Sequence, residues 1–117
     1  MKQIYHNVES HEAPLPLQVR NLAPNTYELL LCENIIESVK EGKIIFTYDM
    51  TLILSKYQTL DEIKGGLVRL KYNQDEEFAL INKGILDSED AKYLAYRSYV
   101  ETCKNYADEW WNEEGRI

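Results

Sequence analysis

Cysteine, proline and glycine are all scarce in this chain of 117 residues, which carries two, three and five of them. Cys32 and Cys103 lie far apart, so they supply neither a disulfide framework nor a metal knuckle, and two free thiols are expected. Basic residues are also few: 13 Lys plus Arg face 20 Asp plus Glu, giving a formal charge of −7 and a pI near 4.8. Such a surface repels the phosphate backbone on average, which disfavours nucleic-acid binding through a general basic face, and no nucleic-acid partner is expected. Apolar runs such as Leu29-Leu30-Leu31-Cys32 fall far short of the roughly 20 residues a membrane span needs. The opening Met1-Lys2-Gln3-Ile4-Tyr5-His6 has no signal-peptide apolar stretch, so synthesis in the cytoplasm and no membrane contact are expected.

Groupings that carry chemistry are missing as well. His6 and His11, with Glu9 and Glu12 nearby, sit in a Pro-flanked extended arm that spreads ligands instead of converging them, and they read as surface histidines. Neither cysteine has a base close by in the sequence, and a thiol on a strand or an inner helix face packs as a small apolar group. Gly65-Gly66 lacks the Gly-Lys-Ser/Thr ending and the spaced glycines of a phosphate loop. Asp75-Glu76-Glu77 and Glu89-Asp90 fall in helix first turns, where the helix dipole accounts for them. No enzymatic activity, cofactor or metal is expected.

What the chain does have is a core and rings: 44% hydrophobic residues and nine tyrosines, enough for one folded domain. Pro14, Pro16 and Pro24 make the first 26 residues extended, with short strands around residues 4–8 and 17–19. Tyr27-Glu28-Leu29-Leu30-Leu31-Cys32 and Ile35-Ile36-Glu37-Ser38-Val39 read as strand, with Asn34 a bulge or a break between them. Glu41-Gly42 reads as a tight turn. After it Ile44, Phe46, Tyr48, Met50, Leu52 and Leu54 alternate with Ile45, Thr47, Asp49, Thr51, Ile53 and Ser55, which predicts a strand with one face buried.

Thr59-Leu60-Asp61-Glu62 fits a capping box opening a helix at about Leu60, and Gly65-Gly66 leaves its continuation to Tyr72 open. A short helix over residues 75–82 is expected to end at Lys83-Gly84. Asp87 or Ser88 then caps a longer helix, with Tyr93, Tyr96, Val100, Cys103, Ala107 and Trp110 along one face. The fold class is therefore α+β: a small N-terminal antiparallel β-hairpin or meander, then C-terminal helices that include an αα-hairpin across residues 84–87. Residues 1–58 form the arm and meander and residues 59–117 the helical region, expected as one compact unit with a tail at 112–117.

Aromatic side chains on the last helix are the most unusual concentration: Tyr93, Tyr96, Tyr99, Tyr106, Trp110 and Trp111. Tyr99 and Tyr106 lie off the face set by Tyr93, Tyr96 and Val100, so the helix offers rings on two sides. Rings bury much area with few rotors and concentrate at interfaces, which makes these six the candidate interface. Asp108-Glu109 and Glu113-Glu114 add an acidic rim that suits a basic partner.

Ile4-Tyr5-His6-Asn7-Val8, Ala13-Pro14-Leu15-Pro16-Leu17, Tyr48-Asp49, Lys56-Tyr57 and Asp61-Glu62-Ile63, taken in that order, resemble short proteins encoded among the tail genes of siphophages and prophages of Gram-positive bacteria. Ala91-Lys92-Tyr93 and Ala95-Tyr96-Arg97 are similar to the C-terminal part of some of them. Gly65-Gly66 departs from the pattern, in which polar helix runs on at that point, and this speaks against a coiled-coil role. The resemblance implies a tail-associated structural or assembly protein without enzymatic activity, partnered by other phage structural proteins or by itself, and placed in the bacterial cytoplasm and then in the virion. The charge of −7 offers a rival reading, a small acidic inhibitor or regulator that occupies a basic nucleic-acid- or protein-binding groove.

Overall fold

The computed structural model describes residues 2–113. The elements run β1 (Lys2–Ser10), β2 (Leu17–Ala23), β3 (Thr26–Lys40), β4 (Lys43–Lys56), α1 (Leu60–Arg69), α2 (Gln74–Leu86) and α3 (Ala91–Glu113). The fold is α+β: a four-stranded antiparallel sheet followed by three helices. The backbone divides into two compact units, one closing at Tyr57 and the next opening at Gln58.

In the first unit the strand order is β1-β4-β3-β2. β2, β3 and β4 form a meander, and β1 adds to the far edge of β4, from Lys2↔Ile53 to Ser10↔Phe46. The opening arm is therefore paired along most of its length. Glu41 (φ 52°) and Gly42 (φ 76°) form the β3–β4 turn, both left-handed as a two-residue hairpin turn that follows the sheet twist requires.

Asn34 bulges β3 without breaking it: its φ is 55°, and the register shifts between Glu33 and Ile36. β1 bulges at the same level, with Asn7 at φ 54° and a shift between Tyr5 and Val8. Asp49 on β4 lies between the two bulges. Its carboxylate accepts from Asn34 Nδ2 at 2.9 Å and from the Asn7 amide at 3.3 Å, with His6 Nδ1 at 3.4 Å. The bonds from Asn34 and then Asn7 hold the carboxyl below its usual range. One half-buried acid thus bonds to both bulges, through the Asn7 backbone amide on β1 and the Asn34 side-chain amide on β3.

The alternation on β4 gives a strand but does not name its buried face. On β4 only Thr51 is buried, whereas Ile44 and Leu54 are exposed. The intervening positions include Ile45 and Ile53, so the pattern carries strand geometry without distinguishing inside from outside. Burial concentrates in Leu17 and Val19 of β2 and in Tyr27 and Leu29 to Cys32 of β3. Four consecutive buried residues shield both faces of β3 at that point.

In the second unit Thr59 caps α1, its Oγ1 accepting from the Glu62 amide at 3.2 Å. Gly65-Gly66 does not interrupt the helix, which ends at Arg69 before reaching Tyr72. α2 opens with a full capping box: Asn73 Oδ1 accepts from the Glu76 amide at 2.8 Å, and the Asn73 amide donates to Glu76 Oε1 at 3.1 Å. The expected stop at Lys83-Gly84 is overturned, because α2 runs on to Leu86. Gly84 serves packing instead: a Cβ there would lie 2.3 Å from Tyr93 Cε1, so the missing side chain is what lets the ring approach the helix.

Asp90, not Asp87 or Ser88, caps α3, with Oδ2 accepting from the Tyr93 amide at 2.9 Å. The αα-hairpin turn therefore spans residues 87–90. Of the expected tail, Asn112 and Glu113 belong to α3, and residues 114–117 lie outside the described residues. α1 packs on α3; Ile63, Gly66, Leu67 and Val68 of α1, Leu70 just past its end, and Tyr96, Cys103, Ala107 and Trp110 of α3 are buried. Lys64 Nζ reaches Asp108 Oδ1 at 2.8 Å across the pair.

Candidate functional site

The six candidate aromatics occupy different environments. Tyr96 and Trp110 are buried; Tyr93, Tyr99, Tyr106 and Trp111 are half-buried. Tyr96 donates its hydroxyl to Glu77 Oε2, and Arg69 Nη2 donates to Glu77 Oε1 at 2.8 Å, so one carboxylate ties α1, α2 and α3 together. Burial alone would raise the Glu77 carboxyl, but the bonds from Tyr96 and Arg69 outweigh it and hold the group below its usual range. The Tyr96 hydroxyl is held far above its own range, by burial first and then by Glu77. Tyr99 donates to the Leu67 carbonyl at 2.6 Å, and Tyr72 meets the Tyr96 and Tyr99 rings edge-on at 5.2 and 5.7 Å. Much of the ring surface on α3 therefore holds the three helices together. Tyr93 packs on Gly84, and Trp111 tilts against Trp110 at 6.4 Å.

The groups weighed for chemistry are placed apart. Cys103 is fully buried and its thiol is pushed up to about 11 by burial, which disfavours the nucleophilic thiolate. Burial also raises Cys32. His6 pairs with Asp49 at the surface, and His11 is exposed. Among the described residues no group of three His, Cys, Asp or Glu side chains is placed to hold a metal ion.

Exposed apolar side chains are spread along the chain, Ile4, Tyr5, Leu15, Leu22 and Leu54 among them, and two further groups of them stand out. One is the far end of the β3–β4 hairpin, where Ile35, Ile36, Val39 and Ile44 are exposed. The other is α2, which buries none of its residues. Phe78, Ile81 and Ile85, at i, i+3 and i+7, form a stripe along α2 and are 55%, 40% and 77% exposed. Leu86 at the helix end is 88% exposed, and Leu94 on α3 is also exposed. Beside the stripe, Ile81 and Ile85 face Tyr93 and Val100 across a groove of about 340 Å³ rimmed by Arg97, Glu101 and Lys104. A groove of about 400 Å³ on the other side of α2 is lined by Tyr72, Ala79, Leu80 and Ala95 with Glu76, Lys83 and Lys92.

Gly84 conceals this stripe in the sequence, because it reads as a helix end and so separates Ile85 and Leu86 from Phe78 and Ile81. The available signal was the i, i+3, i+7 spacing read through the glycine. No helix among the described residues is long and apolar enough to cross a membrane. No family model, curated protein or solved structure matches the chain.

Proposed function

We propose that the chain is a non-enzymatic assembly protein that acts through protein–protein contacts, in the tail-associated setting its sequence resembles. The observation that carries this reading is α2, a capped and regular helix whose apolar stripe lies in water. Exposed apolar surface forgoes about 25 cal/mol per Å² of the stabilisation that burial would bring, and contiguous patches of several hundred Å² on a monomer commonly mark contact sites. The exposed isoleucines of the β3–β4 ribbon add a second patch on an ordered element.

The test is co-expression of the full chain with the products of the genes flanking its own, comparing wild type with a Phe78→Ser, Ile85→Ser variant. A stoichiometric complex with a tail component, lost in the variant, is the expected result. Metabolic neighbours, or a complex that forms equally well with the variant, would count against the reading. Salt separates it from the acidic-inhibitor alternative: occupancy of a basic groove weakens steeply between 0.05 and 0.5 M salt, whereas an apolar anchor does not.

A further inference from the structure

Deepening that reading, we infer that the α2–α3 face is self-complementary and docks on the same face of a second copy about a two-fold axis, with the two α2 helices antiparallel. The inference rests on the α2 stripe being a contact surface, and it names the occupant.

Area is the first argument. Phe78, Ile81, Ile85, Leu86 and Leu94 are each at least 40% exposed, and together they present roughly 500 Å² of apolar surface, the apolar share expected of a standard interface of about 800 Å² per partner. The patch is therefore large enough to form the centre of a dimer interface without recruiting buried residues.

Shape is the second. A two-fold contact requires that a surface match itself, and the stripe is nearly symmetric about Ile81, with Phe78 on one side and Ile85 on the other. Turned end for end, Phe78 of one helix meets Ile85 of its copy while the two Ile81 side chains meet at the axis. Two αα-hairpins joined this way make a four-helix arrangement, in which exposed stripes become a shared seam.

Charge is the third. α3 runs back along α2 from the turn at 87–90, so Lys104 lies beside the N-terminal half of α2, on the groove shared with Ile81 and Ile85. The turn end of the hairpin carries the exposed acids Asp87 and Glu89. End-for-end pairing brings the turn of one copy, with Glu89, level with Lys104 of the other, twice per dimer. Lys104 and Glu89 form no ion pair within the chain among the described residues, so both are available for this one. Antiparallel α2 helices also oppose their dipoles favourably.

The experiment is sedimentation equilibrium of the full chain from about 1 to 200 μM, with far-UV circular dichroism confirming each variant's fold. Wild type is expected to approach twice the chain mass of 13.8 kDa. Ile85→Asp, on an exposed helix position, should stay folded and raise the dissociation constant at least about 100-fold. Lys104→Glu should raise it about tenfold, and Lys104→Glu with Glu89→Lys should restore it, because the swapped pair regains its partner across the axis. A wild type that stays monomeric throughout, or a dimer indifferent to Ile85→Asp, would overturn the inference. Failure of the double swap to rescue would overturn the antiparallel register. A monomer that still captures a tail component through Phe78 and Ile85 would refute the second copy alone and leave the assembly reading standing.

Discussion

One methyl group added at Gly65 should stabilise the protein, whereas the same methyl at Gly84 should not. Gly65 on α1 is exposed and a Cβ there meets nothing within 4 Å, so Gly65→Ala gains only helix propensity, about 1 kcal/mol. Gly84 on α2 offers the same propensity gain, but its Cβ would sit 2.3, 2.4 and 2.6 Å from three atoms of the Tyr93 ring. Displacing the ring costs roughly 1–3 kcal/mol by the usual penalty for overpacking. The net effect at Gly84 is therefore between neutrality and a loss of about 2 kcal/mol. For a chain of this size 1 kcal/mol corresponds to about 4 °C in Tm, so the two variants should differ by roughly 4–12 °C. Urea and thermal melts followed at 222 nm measure this, and Gly84→Ala in a Tyr93→Ala background isolates the cause, since without the ring the substitution should stabilise as it does at Gly65. If Gly84→Ala in the wild-type background raised Tm as much as Gly65→Ala, the close approach of α3 to α2 at Gly84 would be refuted.

Tyr96→Phe removes a donor to the charged Glu77 carboxylate and should cost about 1.5–3 kcal/mol in urea unfolding at pH 7. Because the folded Glu77 carboxyl lies below its ordinary 4.5, its contribution is complete above that value and is lost as pH falls through the depressed one. Tyr96→Phe should accordingly flatten the stability profile between about pH 5 and 3, and an unchanged slope would argue against the bond. Glu41→Asn places at φ 52° a residue that tolerates left-handed backbone, and it should stabilise the β3–β4 turn by about 0.5–1 kcal/mol, read as slower amide exchange at Ser38 and Ile45. Cys103, pushed up to about 11 from 9.0, should react with an aromatic disulfide reagent at pH 8 at least about 100-fold more slowly in the native protein than in urea. A rate equal to that of the unfolded chain would show the thiol to be accessible.

Local chemistry was legible in the sequence wherever a residue type admits one backbone solution. Glu41-Gly42 marked the turn and Thr59 the start of α1, while Asn34 fitted a bulge or a break and its φ of 55° makes it a bulge. What sequence could not supply was which of several compatible uses a residue serves. Gly84 fits a helix end and a close approach equally well, and only the Tyr93 ring decides between them. β4 alternates apolar residues on both faces, so the period of two named a strand but not its buried side. Tyr96 and Tyr99 read as interface candidates, because the acceptors of their hydroxyls, Glu77 and the Leu67 carbonyl, lie 19 and 32 residues away. An interface read from ring content therefore differs from one read from exposure. The six aromatics hold α3 against its neighbours in part, while the most exposed apolar side chains sit on α2.

The acidic surface gives the α2 contact a signature of its own. Two copies each carrying −7 repel; with charges taken ~30 Å apart in water the penalty is about 2–3 kcal/mol at 0.01 M salt and falls to about 0.2 kcal/mol at 0.15 M. The Lys104–Glu89 pairs across the axis act at short range in the opposite sense, but exposed pairs contribute about 1 kcal/mol or less each. Burial of the Phe78, Ile81 and Ile85 stripe does not weaken as salt is added. Net repulsion between the copies is thus the larger salt-sensitive effect, so self-association should tighten roughly tenfold or more between 0.01 and 0.15 M salt. Steep weakening over that range would mean that opposite charges, not the α2 stripe, hold the copies together, which is the behaviour the acidic-inhibitor reading expects against a basic groove.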